Sequence, residues 1–248
     1  MNNFSVKSTA FSITKKGDWV SEDATAIDTF ANVYVVADGM GGIQKGSLAS
    51  QMACEWIPRF LQSTSLEVEA TWPFEKKEGL SLEENLLRMA LLQTNSKIVE
   101  RALHENKLGW MGCSVVAALI LSQKIVIASI GNCRAYLYRN GHLTQLTEDH
   151  SLAQYKKWLP LDPQHNVTLN FLGKSETLEI DSHCEKNIKE DDLFILVSSG
   201  LVNALPHEQA LFQIKENISN FKELSKILVE TAHQKNPSFD ISALIICI

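Results

Sequence analysis

Apolar and polar positions along the chain change period twice, which divides it into strand-rich, helical and again strand-rich regions. Short β-branched runs come first, around Phe4 to Ile13, Ala24 to Asp28 and Val33 to Ala37. The last of these, VYVVA, has almost no polar interruption, as expected of a strand buried on both faces. Leu82, Leu86, Met89, Leu92, Ser96, Val99 and Leu103 then step by three and four, which predicts an amphipathic helix with its stripe facing a core. An earlier helix is expected over Ser47 to Leu61. Ser63 to Gly79, with Trp72-Pro73, reads as an irregular connection.

Beyond Gly112 the alternation returns. CSVVAALIL and KIVIASI, separated by the polar Ser122-Gln123, predict an antiparallel pair. RAYLYRNGHLTQL sets Asn140-Gly141 between two alternating runs, a strong hairpin signal. Asp149 to Lys174 carries two prolines and little periodicity, and reads as a flap-like excursion from the main core. LFILVSSG is another buried strand, Glu208 to Gln234 one or two helices, and ISALIICI a closing strand. Strand-rich halves around helical segments predict an α+β protein with sheets packed face to face and helices outside.

No linker divides the 248 residues, so a single domain over 1–248 is expected. Hydrophobic content of 45% with 21% charged residues is that of a soluble globular chain with a sizeable core. A net charge of -6, with no offsetting Lys/Arg stripe, argues against nucleic acid as a partner. The start, MNNFSVKSTAF, lacks a basic region followed by an apolar run, and no segment is apolar enough for a bilayer, so no membrane partner is expected and the chain reads as cytoplasmic. The five cysteines, Cys54, Cys113, Cys133, Cys184 and Cys247, are odd in number and contain no C-x-x-C pair, which argues against a disulfide framework or a zinc site.

Acids recur where strands begin or end. Asp38 closes VYVVA and is followed by Gly39, Gly41 and Gly42, whose missing Cβ atoms let the backbone turn or lie close to what the acid holds. Glu22 and Asp23 precede ATAID, and Asp240 precedes ISALIICI. If those ends meet, the matching guest is a hard divalent cation such as Mg²⁺ or Mn²⁺, which takes carboxylates, carbonyls and water. The same acids also suit turns, caps and solvated strand ends.

Seven motifs in order carry a resemblance. SEDATAID, VYVVADGMGG, MGCSVVAALI, IGNCRAYLYRNGHLTQLTEDHSL, NFLG, LFILVSSGLVNAL and FDISALIICI resemble the successive motifs of the metal-dependent protein phosphatases of type 2C (PPM), in their compact bacterial form. The resemblance implies a four-layer α-β-β-α sandwich of two antiparallel sheets flanked by helices. It implies hydrolysis of phosphoserine or phosphothreonine by water held between two Mn²⁺ or Mg²⁺ ions. Asp38 would bridge both ions and the Gly39 carbonyl would ligate the first. Glu22 and Asp23 would hold that ion's water ligands, and Asp240 would ligate the second, so Asp38 and Asp240 carry the catalytic centre. The partner implied is a phosphoserine or phosphothreonine protein, or another component of a Ser/Thr kinase pathway.

The chain departs from that pattern at three carboxylates. Ser199 stands where the family has an aspartate for the second metal, Asn203 where it often has another acid, and Asn132 where many bacterial members hold a third ion. Each loss removes a ligand and a charge that offset repulsion between the cations, so fewer than two tightly bound ions are expected. The place of the family's phosphate-binding arginine falls on Asp18; Lys15 or Lys16 either substitutes or forms a solvated face. Asp149, Asp191 or Asp192 could supply a missing carboxylate. Cys133 is a redox-sensitive thiol or a buried structural one, His150 a structural hydrogen-bonding residue, and Arg134 an anchor for its loop. The resulting expectation is a PPM-type phosphatase-like protein with weak or lost catalysis that binds a phosphoprotein or regulatory partner. The alternative is an active phosphatase with a rearranged metal site.

Overall fold

The apolar run at Val33 forms strand β3 (Val33–Met40), and its alternation explains why almost no position in it is polar. In the computed structural model, Val33, Val35 and Ala37 face a layer of helices, whereas Tyr34 and Val36 face a second sheet. Successive side chains of a strand point to opposite faces, so Asp38 continues the Tyr34 and Val36 side and is carried to the seam between the sheets. The structure describes residues 5–42, 45–64, 74–106, 110–155 and 167–248.

Two antiparallel sheets result. One contains β1 (Lys7–Ile13), β6 (Arg134–Arg139), β7 (His142–Gln145), β9 (Leu193–Val197) and β10 (Ile241–Cys247), in the order β1-β10-β9-β6-β7. The other contains β2 (Asp23–Asp28), β3, β4 (Gly112–Ile120), β5 (Ile125–Ile130) and β8 (Asp181–Glu185), in the order β2-β3-β4-β5-β8. Helices α1 (Gly46–Ser63) and α2 (Leu82–His104) cover the β3 sheet, burying Ala49, Ala53, Ile57, Leu87 and Leu91 with its outer face. A short helical turn, α3 (Leu152–Tyr155), follows. Helices α4 (Ser199–Ala204), α5 (His207–Asn217) and α6 (Phe221–Lys235) cover the β10 sheet. Between the sheets lie Tyr34, Val36, Val116, Phe194, Leu196 and Leu244. The architecture is therefore a four-layer α-β-β-α sandwich, an α+β fold.

Local chemistry accounts for the boundaries. Ser81 caps α2 in a capping box, its hydroxyl accepting from the Glu84 N–H while the Glu84 carboxylate accepts from the Ser81 N–H. Asn140 and Gly141 both take positive φ, 52° and 79°, the mirror-image turn whose twist matches a two-residue hairpin between β6 and β7. Three elements lie outside the sequence expectation: the four-residue α3; β8, a half-buried edge strand; and the six-residue α4, which takes the SSG end of the expected LFILVSSG strand. Trp72-Pro73, the strand start at Phe4 and positions 156–166 of the expected excursion lie outside the described residues. Among the described residues no helix is long and apolar enough to cross a membrane.

Candidate active site

Register brings the acids together. Asp23 on β2 stands directly opposite Asp38 on β3, on the same face of the sheet. Asp38 is not the last residue of its strand, since β3 runs on to Met40. Gly39 is accordingly in the ladder, and the turn is made by Gly41 and Gly42 at φ 114° and 90°. Gly39 is needed for close approach, because a Cβ there would lie 2.3 Å from the Gly46 carbonyl at the start of α1 and 2.6 Å from the Glu22 carbonyl oxygen. Its N–H donates to that Glu22 carbonyl at 3.0 Å. Gly46 in turn leaves space that Glu22 Oε1 occupies, 2.3 Å from where its Cβ would be.

The opposite sheet contributes through Asp240 and Ser199. Asp240 Oδ1 accepts the Lys15 N–H at 2.7 Å and Oδ2 accepts the Glu22 N–H at 2.9 Å, so this acid stitches the start of β10 to the loop between β1 and β2. At the start of α4, Ser199 meets Asp38 twice. Its N–H donates to Asp38 Oδ2 at 3.0 Å and its hydroxyl makes a short hydrogen bond to the same oxygen.

Negative charge is crowded here. Burial pushes the Asp38 carboxyl up to about 6; the two Ser199 hydrogen bonds pull it down, and the charges of Asp240 and Glu22 push it up. Asp23 is driven well above the ordinary carboxylate range by burial first and by the Asp38 charge next. The Ser198 and Ser242 hydroxyls soften that push, but Ser198 Oγ accepts the Ser242 N–H at 3.0 Å and the Ser242 hydroxyl pairs with Ser12 at 2.8 Å. Both Asp23 oxygens and Glu22 Oε1 are buried without a hydrogen-bond partner. Orphaned, mutually repelling carboxylate oxygens are what a hard cation satisfies, so this donor set fits one. It is not a ready multidentate cage: among the described residues no three His, Cys, Asp or Glu are disposed to hold a metal. Asp240 and Asp38 are instead occupied by backbone and serine donors.

The neutral positions and the proposed substitutes fall as follows. Asn132 Oδ1 accepts the Ser114 hydroxyl at 2.8 Å, and the Asn132 N–H reaches Ser114 Oγ at 3.3 Å. Asn203 is exposed on α4. Asp149 is held by Arg134 through two hydrogen bonds of 2.8 and 2.7 Å, and Asp192 by Arg139 through bonds of 2.7 and 2.6 Å. Asp191 and Asp192 precede β9, whose far end leads to Ser199, so neither supplies the missing carboxylate. The Lys15 ammonium lies 3.0 Å from Glu22 and 3.2 Å from Asp18, while Lys16 is exposed and its N–H donates to the Pro237 carbonyl at 2.8 Å.

His150 is structural, with Nδ1 facing the Asn170 amide at 3.0 Å and Nε2 facing Asp181 at 2.8 Å; that bond holds the Asp181 carboxyl below its usual range. Burial, then the Asp38 and Asp23 charges, raise the Cys133 thiol far above its usual value, so it is an inert buried thiol. Sequence reasoning passed over Ser198 and Ser242, whose signal was their place in VSSG and two residues after Asp240.

A family model described as protein phosphatase 2C matches residues 15–234. The chain belongs to the protein phosphatase 2C family. The serine/threonine phosphatase stp of Listeria welshimeri is 31% identical over 222 residues, 86% of this chain and 83% of that one. Among solved structures, PppA, a key regulatory component of T6SS in Pseudomonas aeruginosa, superposes with a TM-score of 0.81 at 24% identity, covering 98% of this chain and 97% of its own. The catalytic domain of the serine threonine protein phosphatase PstP in complex with 2 manganese ions gives 0.79 at 23% identity, with the same coverage. These structural likenesses carry the fold.

Proposed function

We propose that this PPM-type chain acts on phosphoserine and phosphothreonine proteins of a Ser/Thr kinase pathway as a weak phosphatase or a pseudophosphatase. The observation that supports it is the Ser199 contact with Asp38. A carboxylate meant to bridge two cations is here satisfied by a peptide N–H and a hydroxyl, neutral donors that need no second metal.

Glu22, Asp23, Asp38 and the Gly39 carbonyl form the half of the site suited to one Mn²⁺ or Mg²⁺, in keeping with the orphaned oxygens of Glu22 and Asp23. When bound, such a cation lowers the pKa of a coordinated water and offsets charge on phosphoryl oxygens. The chain's own groups do the rest: Asp240 fixes the Glu22 backbone, and Gly39 and Gly46 let α1 close over the acids.

A second reading, an active phosphatase with a rearranged site, draws on those same orphaned carboxylates and on the 31% identity to a named serine/threonine phosphatase. Purified protein assayed on a phosphothreonine peptide across a Mn²⁺ titration separates the two. Turnover at least a hundredfold below that of the Listeria phosphatase under the same conditions is expected. Comparable turnover would favour the second reading.

A further inference from the structure

Lys15 touches three acids. Its ammonium lies 3.0 Å from Glu22 Oε2 and 3.2 Å from Asp18 Oδ2, and its N–H donates to Asp240 Oδ1 at 2.7 Å. The two Glu22 oxygens are thereby unlike: Oε2 meets the ammonium, while Oε1 is buried over Gly46 without a partner. Asp23 and Asp38 stand face to face across the neighbouring ladder. A compact ammonium on a flexible four-carbon stem is the protein group best able to enter such a cluster and withdraw from it.

We propose that Lys15 is the internal counter-ion of this carboxylate cluster, and that its ammonium and a divalent cation compete for the negative charge centred on Glu22. The inference rests on reading the cluster as a cation site, and adds that the chain carries its own monovalent substitute. With the ammonium seated, Glu22 has an opposite charge within hydrogen-bonding distance, and the metal-free cluster is less self-repelling. A divalent cation arriving beside Glu22 meets a positive charge already in contact with that carboxylate. At such short range two positive charges on one carboxylate repel, the more strongly the less water lies between them. Binding therefore requires the Lys15 side chain to swing out, or the cation to accept a poorer share of Glu22. Lys16 offers an internal comparison, since it is one residue away, exposed, and carries the same charge.

The test compares wild type with Lys15→Met, which keeps the stem and removes the charge, Lys15→Arg, which keeps the charge, and Lys16→Met, which changes net charge equally. Calorimetric titration with Mn²⁺ should show Lys15→Met binding about tenfold more tightly than wild type, with Lys16→Met and Lys15→Arg within about threefold of it. In EDTA, Lys15→Met should unfold at a lower temperature than Lys16→Met, and saturating Mn²⁺ should close that gap. Equal Mn²⁺ affinity in Lys15→Met and Lys16→Met, or weaker binding in Lys15→Met, would overturn the competition. If no form binds Mn²⁺ while Lys15→Met is still the less stable in EDTA, the cation-site reading and the competition fall and the counter-ion role stands. If Lys15→Met and Lys16→Met unfold together in EDTA, the counter-ion role falls.

Discussion

At the scale of single residues, the acids were legible and the groups that occupy them were not. Glu22, Asp23, Asp38 and Asp240 stand out at strand boundaries, and the structure gathers them at one seam. Ser199 reads in the sequence only as a lost carboxylate; that its hydroxyl and N–H fold back onto Asp38 depends on where α4 starts. If that substitution limits a two-cation centre, Ser199→Asp should raise Mn²⁺-dependent turnover about tenfold, and adding Asn132→Asp should raise it further, measured as kcat and half-saturating Mn²⁺. The raised Asp38 carboxyl makes a pH prediction. Its folded value, about 6 against 3.8 ordinarily, means the metal-free native state binds more protons than the unfolded chain between those limits. Stability from this group therefore falls as pH rises from about 4 to about 6 and is level above. Urea denaturation in EDTA should show Asp38→Asn gaining on wild type across that window by an amount on the order of 3 kcal/mol. Saturating Mn²⁺ should reverse the ranking at pH 7.

At the scale of elements, strong periodicity was readable and short or edge segments were not. The β6–β7 hairpin follows from Asn140-Gly141, and α2 from its three-and-four stepping, with the capping box at Ser81 and Glu84. Strand β8, DSHCE, is an edge strand paired on one side with β5, so no apolar alternation marks it. Helix α4 has six residues, fewer than two turns, too few to show a helical period. The glycines after Asp38 were correctly singled out, but for two different reasons that only packing separates. At Gly39 an added Cβ meets the backbone of Gly46 and Glu22, whereas at Gly42 nothing lies within 4 Å and only the φ of 90° resists a side chain. Gly39→Ala should therefore cost at least about 2 kcal/mol in urea unfolding, because α1 must move. Gly42→Ala should cost about 1 kcal/mol. Equal costs would contradict the role given to α1 docking.

At the scale of the whole molecule, the α+β class and the paired sheets were foreseeable from strand-rich halves and the order of seven motifs, whereas the joint between the sheets was not. Asp240 shares that joint with the Ser199–Asp38 contact, accepting the N–H of Glu22 from the other sheet and that of Lys15 from its own, and its removal by Asp240→Ala should cost about 2–3 kcal/mol in urea unfolding by stranding both donors. The cluster thus draws on both sheets, with Asp23 and Asp38 from one and Asp240 from the other. On the proposed reading, with Ser199 seated on Asp38, one cation near Glu22, Asp23 and the Gly39 carbonyl would satisfy the orphaned oxygens, and a second would find Asp38 and Asp240 already taken by serine and backbone donors. The most direct measurement is the number of Mn²⁺ ions bound tightly per chain, by calorimetry on protein stripped with EDTA and exchanged into clean buffer. One tight site in wild type and two in Ser199→Asp is the predicted result; two tight sites in wild type would contradict it.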